Sequence, residues 1–160
     1  MARVHTAIAA KDYPAQGISK GDKYWHWTPY RQPRRLSKTM PRPSQTESND
    51  TKASLYIVVE GLTDSINVAT TVQEIREAVE SAISECETVC DEFNEKADNI
   101  EDGFGHETMQ SEEIRSWAEE VEEWKNELES IDLPDDEPDE DNPDFDFKVL
   151  VSEIPEWSGF

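Results

Sequence analysis

The chain is expected to be mainly α-helical: an elongated antiparallel helical hairpin of coiled-coil type, with a small basic N-terminal arm and an acidic C-terminal tail. Three observations predict this. Apolar residues recur at alternating steps of three and four through Val68, Val72, Ile75, Val79, Ala82, Cys86, Val89 and Phe93, and again through Ile114, Trp117, Val121, Trp124, Leu128 and Ile131. That spacing lines one stripe of a helix. Core-forming residues are scarce, with 35% hydrophobic against 32% charged residues and a mean hydropathy of −0.81, so a large round core is not expected and paired helices fit better. Finally, the sign of the charge changes once. Residues 1–46 carry nine Lys/Arg and two Asp, a net of +7, whereas residues 47–160 carry six Lys/Arg and thirty-five Asp/Glu, a net of −29.

Three segments follow: 1–46, 47–131 and 132–160. In the first, Gly17 and Gly21 bracket a turn-like Ile18-Ser19-Lys20. The aromatic run from Asp22 to Thr28 has strand propensity, and Pro29 ends it. A turn over Arg31 to Arg34 and a second short strand from Arg35 to Thr39 would make a β-hairpin or irregular module. An isolated two-stranded hairpin is marginal in water, so this one must dock on something. Residues 41–52 read as a polar linker. Leu55, Val58, Val59, Leu62 and Ile66 then follow at helical spacing. The β-branched Ile57-Val58-Val59 argues for a strand over 53–66, and a short helix is the reading adopted.

Thr71 followed by Glu74 is a capping-box signature, within a helix expected over about 68–99. Asp102 to His106 breaks that helix, with Gly103 suited to the C-cap. A second helix over about 108–131 closes before Pro134. A short connection makes the two pack antiparallel, through Val72, Ile75, Val79 and Phe93 on one and Ile114, Trp117, Val121, Trp124 and Leu128 on the other. The outer face is rich in glutamates, among them Glu112, Glu119, Glu122, Glu123 and Glu127. Like charges at i,i+4 oppose the helix, so the hairpin must rely on its seam. Residues 132–148 are acidic and Pro-interrupted and cannot bury enough apolar surface to fold alone. Val149 to Trp157 is apolar enough to dock, on a partner or back on its own hairpin.

The chemistry-bearing motifs are few. There is no P-loop, G-x-S-x-G or Rossmann fingerprint, so no enzyme and no cofactor is expected. Cys86 and Cys90 share a helical face but match no zinc spacing, and His5, His26 and His106 lie in separate segments, so no metal site is expected. The acids around Asp139 and Asp141 lack the Gly and terminal Glu of a calcium loop. The basic arm is the candidate for binding. Lys20, Lys23, Arg31, Arg34 and Arg35 would neutralise phosphates, and Trp25 and Trp27 would stack on bases of nucleic acid or nucleoprotein. The competing reading makes the tryptophans the arm's core and pairs the cations with the chain's own acids. The acidic hairpin is expected to hold a protein partner or a second copy. Alternatively it imitates DNA and inhibits or adapts a nucleic-acid-binding protein, serves as a virion component, or carries only the solvated face of a halophilic protein. No apolar run approaches the roughly 20 residues of a membrane span, and no stretch of signal-peptide type opens the chain, so a product of host cytoplasm or virion is expected.

Two segments carry a resemblance. Lys11-Asp12-Tyr13-Pro14, Gly17 to Trp25 and Arg42-Pro43-Ser44-Gln45 resemble the opening of a group of tailed-phage and archaeal-virus proteins of unassigned function. The loop Asp98 to His106, with its downstream Trp-containing helix, is similar to their helical hairpin. The resemblance covers about two-thirds of the chain and transfers no activity. It implies a viral origin and an ordered role for the arm. The chain departs from the pattern after Gln45, and Pro29 and Pro33 lie inside the expected β-hairpin.

Overall fold

A computed structural model describes residues 1–134 and 147–160, apart from the side chains of Phe147 and Lys148. Strands β1 (His5–Ile8), β2 (Lys23–Trp27) and β3 (Arg35–Ser37) are followed by helices α1 (Pro43–Thr46), α2 (Asp50–Val68), α3 (Val72–Phe104), α4 (Met109–Glu129) and α5 (Phe147–Glu153). The chain divides into two units, Met1–Ile57 and Val58–Phe160, and the division falls within α2.

The first unit holds an antiparallel sheet in the order β1-β2-β3. It is one strand larger than the expected hairpin. β1 pairs with β2 along its whole length, from His5 opposite His26 to Ile8 opposite Lys23, and so relieves the marginal stability of two strands alone. Ala9, Ile18 and Tyr24 form a small buried cluster, with Ala7, Tyr13 and Leu36 packed against it. The stretch 41–52 is not a plain linker. Pro43 opens the one-turn helix α1, Thr46 is buried, and the Thr46 carbonyl accepts the Ala2 N–H at 2.6 Å. These contacts move the boundary from residue 46 to residue 57. The 53–66 stretch is helical, as part of α2.

The second unit is built on α3 and α4. The Thr71–Glu74 capping box forms: the Thr71 hydroxyl accepts the Glu74 N–H at 3.2 Å, and Glu74 Oε2 accepts the Thr71 N–H at 3.2 Å and the Thr70 N–H at 2.7 Å. The bond from the Thr70 N–H holds the Glu74 carboxyl below its ordinary pKa. The buried stripe of α3 runs Val72, Ile75, Val79, Ala82, Cys86, Val89, Phe93 and Ala97. Val68 is not part of it, because α2 ends there and its side chain is 77% exposed. The helix also outruns its expected end at Asn99. Gly103 is helical, and the cap is Gly105, whose φ of 73° is the left-handed conformation that a glycine adopts without steric penalty.

Four contacts fix the antiparallel arrangement. Arg115 binds Asp98 Oδ1 at 2.8 Å and both Glu101 oxygens at 3.0 and 3.2 Å. The Cys90 thiol donates to the Ala118 carbonyl at 3.6 Å. Lys125 Nζ lies 3.6 Å from Glu87 Oε1. Arg76 donates to the Pro134 carbonyl at 2.8 Å. As residue numbers rise along α4 and the segment after it, their partners fall along α3.

The buried stripe of α4 runs Ser111, Ile114, Ala118, Val121, Trp124 and Leu128, with Lys125 half-buried beside it. Of the α4 residues expected on the seam, Trp117 is the one that is only half-buried. Trp117 sits on the flank of this stripe, and the C-terminal segment meets both tryptophans. The Trp124 indole N–H donates to the Pro155 carbonyl at 3.1 Å, and its ring lies 5.6 Å from that of Trp157. Trp117 bridges Phe93 at 5.8 Å and Phe160 at 6.1 Å. The apolar end thus folds back on its own hairpin, with Leu150 and Ile154 buried. The most acidic part of the 132–160 tail, residues 135–146, lies outside the described residues.

Cys86 is buried and Cys90 half-buried, and both are free thiols. Burial pushes Cys86 up to about 12 and Cys90 to about 11, so almost no thiolate exists at neutral pH. Alkylation of the folded chain by iodoacetamide at pH 8 is expected to be slow at both positions and fast once denaturant is added. In chemical denaturation, Phe93→Ala is expected to cost about 3–5 kcal/mol, whereas Val68→Ala stays within about 0.5 kcal/mol.

Candidate nucleic-acid interface

The β-sheet of the first unit sorts its side chains by alternation. Residues directly opposite one another on paired strands share a face, and successive residues switch faces. One face carries His5, Ala7, Tyr24, His26 and Leu36, and it joins the buried cluster of Ala9 and Ile18. The other carries three cross-strand rows: Ile8 with Lys23, Thr6 with Trp25 and Ser37, and Trp27 with Arg35.

The candidate residues divide by burial. Trp27 is 4% exposed, and its indole N–H donates to the Gln45 carbonyl at 3.0 Å. It anchors α1 to the sheet and has no open ring face, so it leaves the set of candidate stacking residues. Trp25 is half-buried. Its row-mates Thr6 and Ser37 are small, and Lys23 Nζ stands 5.4 Å from its ring centroid. An aromatic ring between short hydroxyl residues, with a cation before it and another two residues beyond, is a surface suited to stacking beside a phosphate.

The candidate cations of this unit are exposed. Lys20, Lys23, Arg31, Arg34 and Arg35 all point to solvent. Within the described residues of the unit, none of them forms an ion pair. The two aspartates of the arm are engaged elsewhere: Asp22 accepts the Ser19 N–H at 3.0 Å and pairs with Lys38 at 3.2 Å, and Asp12 accepts the Lys20 backbone N–H at 2.7 Å. The Ser19 N–H and then Lys38 hold the Asp22 carboxyl below its ordinary pKa. Arg35 is steadied by the Gln32 amide oxygen at 2.7 Å.

The β2–β3 loop adds a second element. Arg31 has a φ of 55°, uncommon for a residue with a side chain, and its guanidinium lies 5.1 Å from the Tyr30 ring. Tyr30 is 71% exposed. The loop tip therefore presents an aromatic–cation pair to solvent. The structure brings Lys23, Trp25 and Arg35 to one sheet face and puts Arg31 and Arg34 on the adjoining loop; Lys20 lies in the turn before β2.

Sequence reasoning missed β1 and, with it, Thr6 as a neighbour of Trp25. The available signal was the β-branched alternation of Val4, Thr6 and Ile8. It also missed the meeting of His5 and His26, directly opposite in register, whose rings stack at 5.3 Å and 17°. Burial first, then the charges of Arg34 and His5, hold His26 below the ordinary imidazole value.

Among the described residues, no group of three or more His, Cys, Asp or Glu is placed to hold a metal ion, and no helix is long and apolar enough to cross a membrane. No protein-family model matches the chain, and no curated protein or solved structure is significantly similar to it.

The different burial of the two tryptophans separates their roles in a thermal denaturation series. Trp27→Ala is expected to destabilise the chain by about 3 kcal/mol or more. Trp25→Ala is expected to cost less than about 1 kcal/mol.

Proposed function

We propose that this is a non-enzymatic binding protein. Its basic sheet unit contacts single-stranded nucleic acid or nucleoprotein, and its acidic hairpin unit mediates protein association. The observation that carries the reading is the half-buried Trp25 ring, set between Thr6 and Ser37 with Lys23 and Arg35 on the same face. Lys23, Arg31, Arg34, Arg35 and Lys20 supply phosphate neutralisation, and Trp25 with Tyr30 supplies base stacking. The viral resemblance makes a host cytoplasm or a virion the setting for this contact.

A second reading has its own support. Glu119, Glu122, Glu123 and Glu127 line one open face of α4, and within the second unit five Lys/Arg stand against thirty-three Asp/Glu. Such a surface would engage a basic partner, as an inhibitor or adaptor that competes with nucleic acid for a cleft.

Fluorescence anisotropy of a labelled single strand with the full chain, across 50–300 mM salt, tests the first reading. Affinity should fall as salt rises, with a log–log slope of roughly −0.7 per phosphate neutralised. Trp25→Ala should weaken binding by about 1–3 kcal/mol, and Lys23→Ala or Arg35→Ala should each reduce the salt slope. No binding at 50 mM salt, or binding indifferent to Trp25→Ala, contradicts the reading. Competition with nucleic acid for a basic protein, abolished by neutralising the α4 glutamates, would favour the second.

A further inference from the structure

We infer that His5 and His26 form a two-histidine site for a borderline divalent transition ion of the zinc, nickel or copper class. The site lies on the sheet face opposite Trp25 and is independent of the nucleic-acid reading. The two residues are direct cross-strand partners, and their rings already lie nearly parallel, with centroids 5.3 Å apart. A tetrahedral ion with Zn–N bonds of about 2.0–2.1 Å needs its two nitrogens about 3.3 Å apart. The proposal requires the edges of the two stacked imidazoles to tilt toward each other by side-chain rotation, on strands already paired in this register.

A second observation points the same way. Neither imidazole makes a hydrogen bond among the described residues. Each neutral imidazole can therefore present either ring nitrogen, one at a time, as a ligand, where a structural histidine commonly commits at least one to a protein partner. His26 is half-buried and held against Tyr24, their ring centroids 5.9 Å apart, while His5 is exposed. One ligand is thus fixed in place, and the other is free to swing in from solvent. Neutral imidazole is the ligand form.

Two nitrogens leave open positions on the ion. In the isolated chain, water fills them, and a donor from a partner can replace it. Imidazole selects this class of metal over magnesium and calcium, which prefer oxygen. The carboxylates of the acid-rich second unit offer only oxygen ligands, which hold the same ion less selectively and which magnesium can occupy. Arg34 opposes binding, since its charge reaches His26. Bound metal would clip β1 to β2 and stabilise the sheet by mass action.

Calorimetric titration of the full chain with Zn2+, in millimolar Mg2+ to occupy the carboxylates, tests the site. One ion per chain is expected. His5→Ala should weaken binding at least tenfold, and His5 is exposed, so this variant leaves the folded core intact. His26→Ala should weaken it equally, His106→Ala should leave it unchanged, and Arg34→Gln should tighten it several-fold. Electron paramagnetic resonance of the Cu2+ form should show nitrogen coordination that His5→Ala removes. Zinc affinity indifferent to His5→Ala, or copper held by oxygen alone, overturns the proposal.

Discussion

Two acid-laden helices stay together here only because an apolar seam outweighs their mutual repulsion. The second unit has thirty-three acidic side chains and five Lys/Arg, so electrostatics alone would drive α3 and α4 apart. Against this stands an uninterrupted stripe from Val72 to Ala97 on α3, matched by Ile114, Ala118, Val121, Trp124 and Leu128 on α4. Burying one large aliphatic or aromatic side chain contributes about 1.5–3 kcal/mol. An exposed ion pair contributes about 0–1 kcal/mol, and the pairs of Arg115 and Lys125 are of that kind in part or whole. Their value is directional. Each sits where an opposite charge on the facing helix is within reach, so together they specify register, while the seam supplies the adhesion.

The C-terminal segment extends the same principle. Trp124, Trp157, Phe160, Trp117 and Phe93 form a chain of edge-on aromatic contacts along one flank of the hairpin. Such contacts add to area burial without adding charge. In a chain so poor in apolar residues, the tryptophans cover the flank that aliphatic side chains leave bare.

What could be read from the sequence follows the range of the interactions involved. The α3 stripe was legible because period and capping are local: Thr71 and Glu74 announce the helix, and Ile75 to Phe93 repeat at helical steps. Val68 fitted the same arithmetic and lies outside it, since a helix boundary at Thr70-Thr71 interrupts the register. Trp124 is buried on the stripe that its spacing marks, whereas the surroundings of Trp117 and Trp124 also include Phe160 and Trp157, more than thirty residues away in the chain, which no local pattern announces. The same holds for the candidate interface. The cations and aromatics of β2 were visible as a cluster. The indole of Trp27 is held by the Gln45 carbonyl, eighteen residues away, and the neighbours of Trp25 are set by a strand whose short β-branched alternation is easily passed over. The His5–His26 pair, separated by twenty-one positions, is a consequence of register and has no sequence motif. The charge reversal, by contrast, was plain in the sequence, and it falls close to the division between the two units.

The most direct test of the central claim is the thermal stability of the hairpin, followed by helical circular dichroism, as sodium chloride rises from about 10 mM to 500 mM. Screening shortens the reach of charge from roughly 30 Å to well under 10 Å over that range. If an apolar seam holds the helices against repulsion, the midpoint climbs with salt and levels off once screening is complete. A midpoint that falls as salt rises would mean that ion pairs hold the helices together, and would contradict the account.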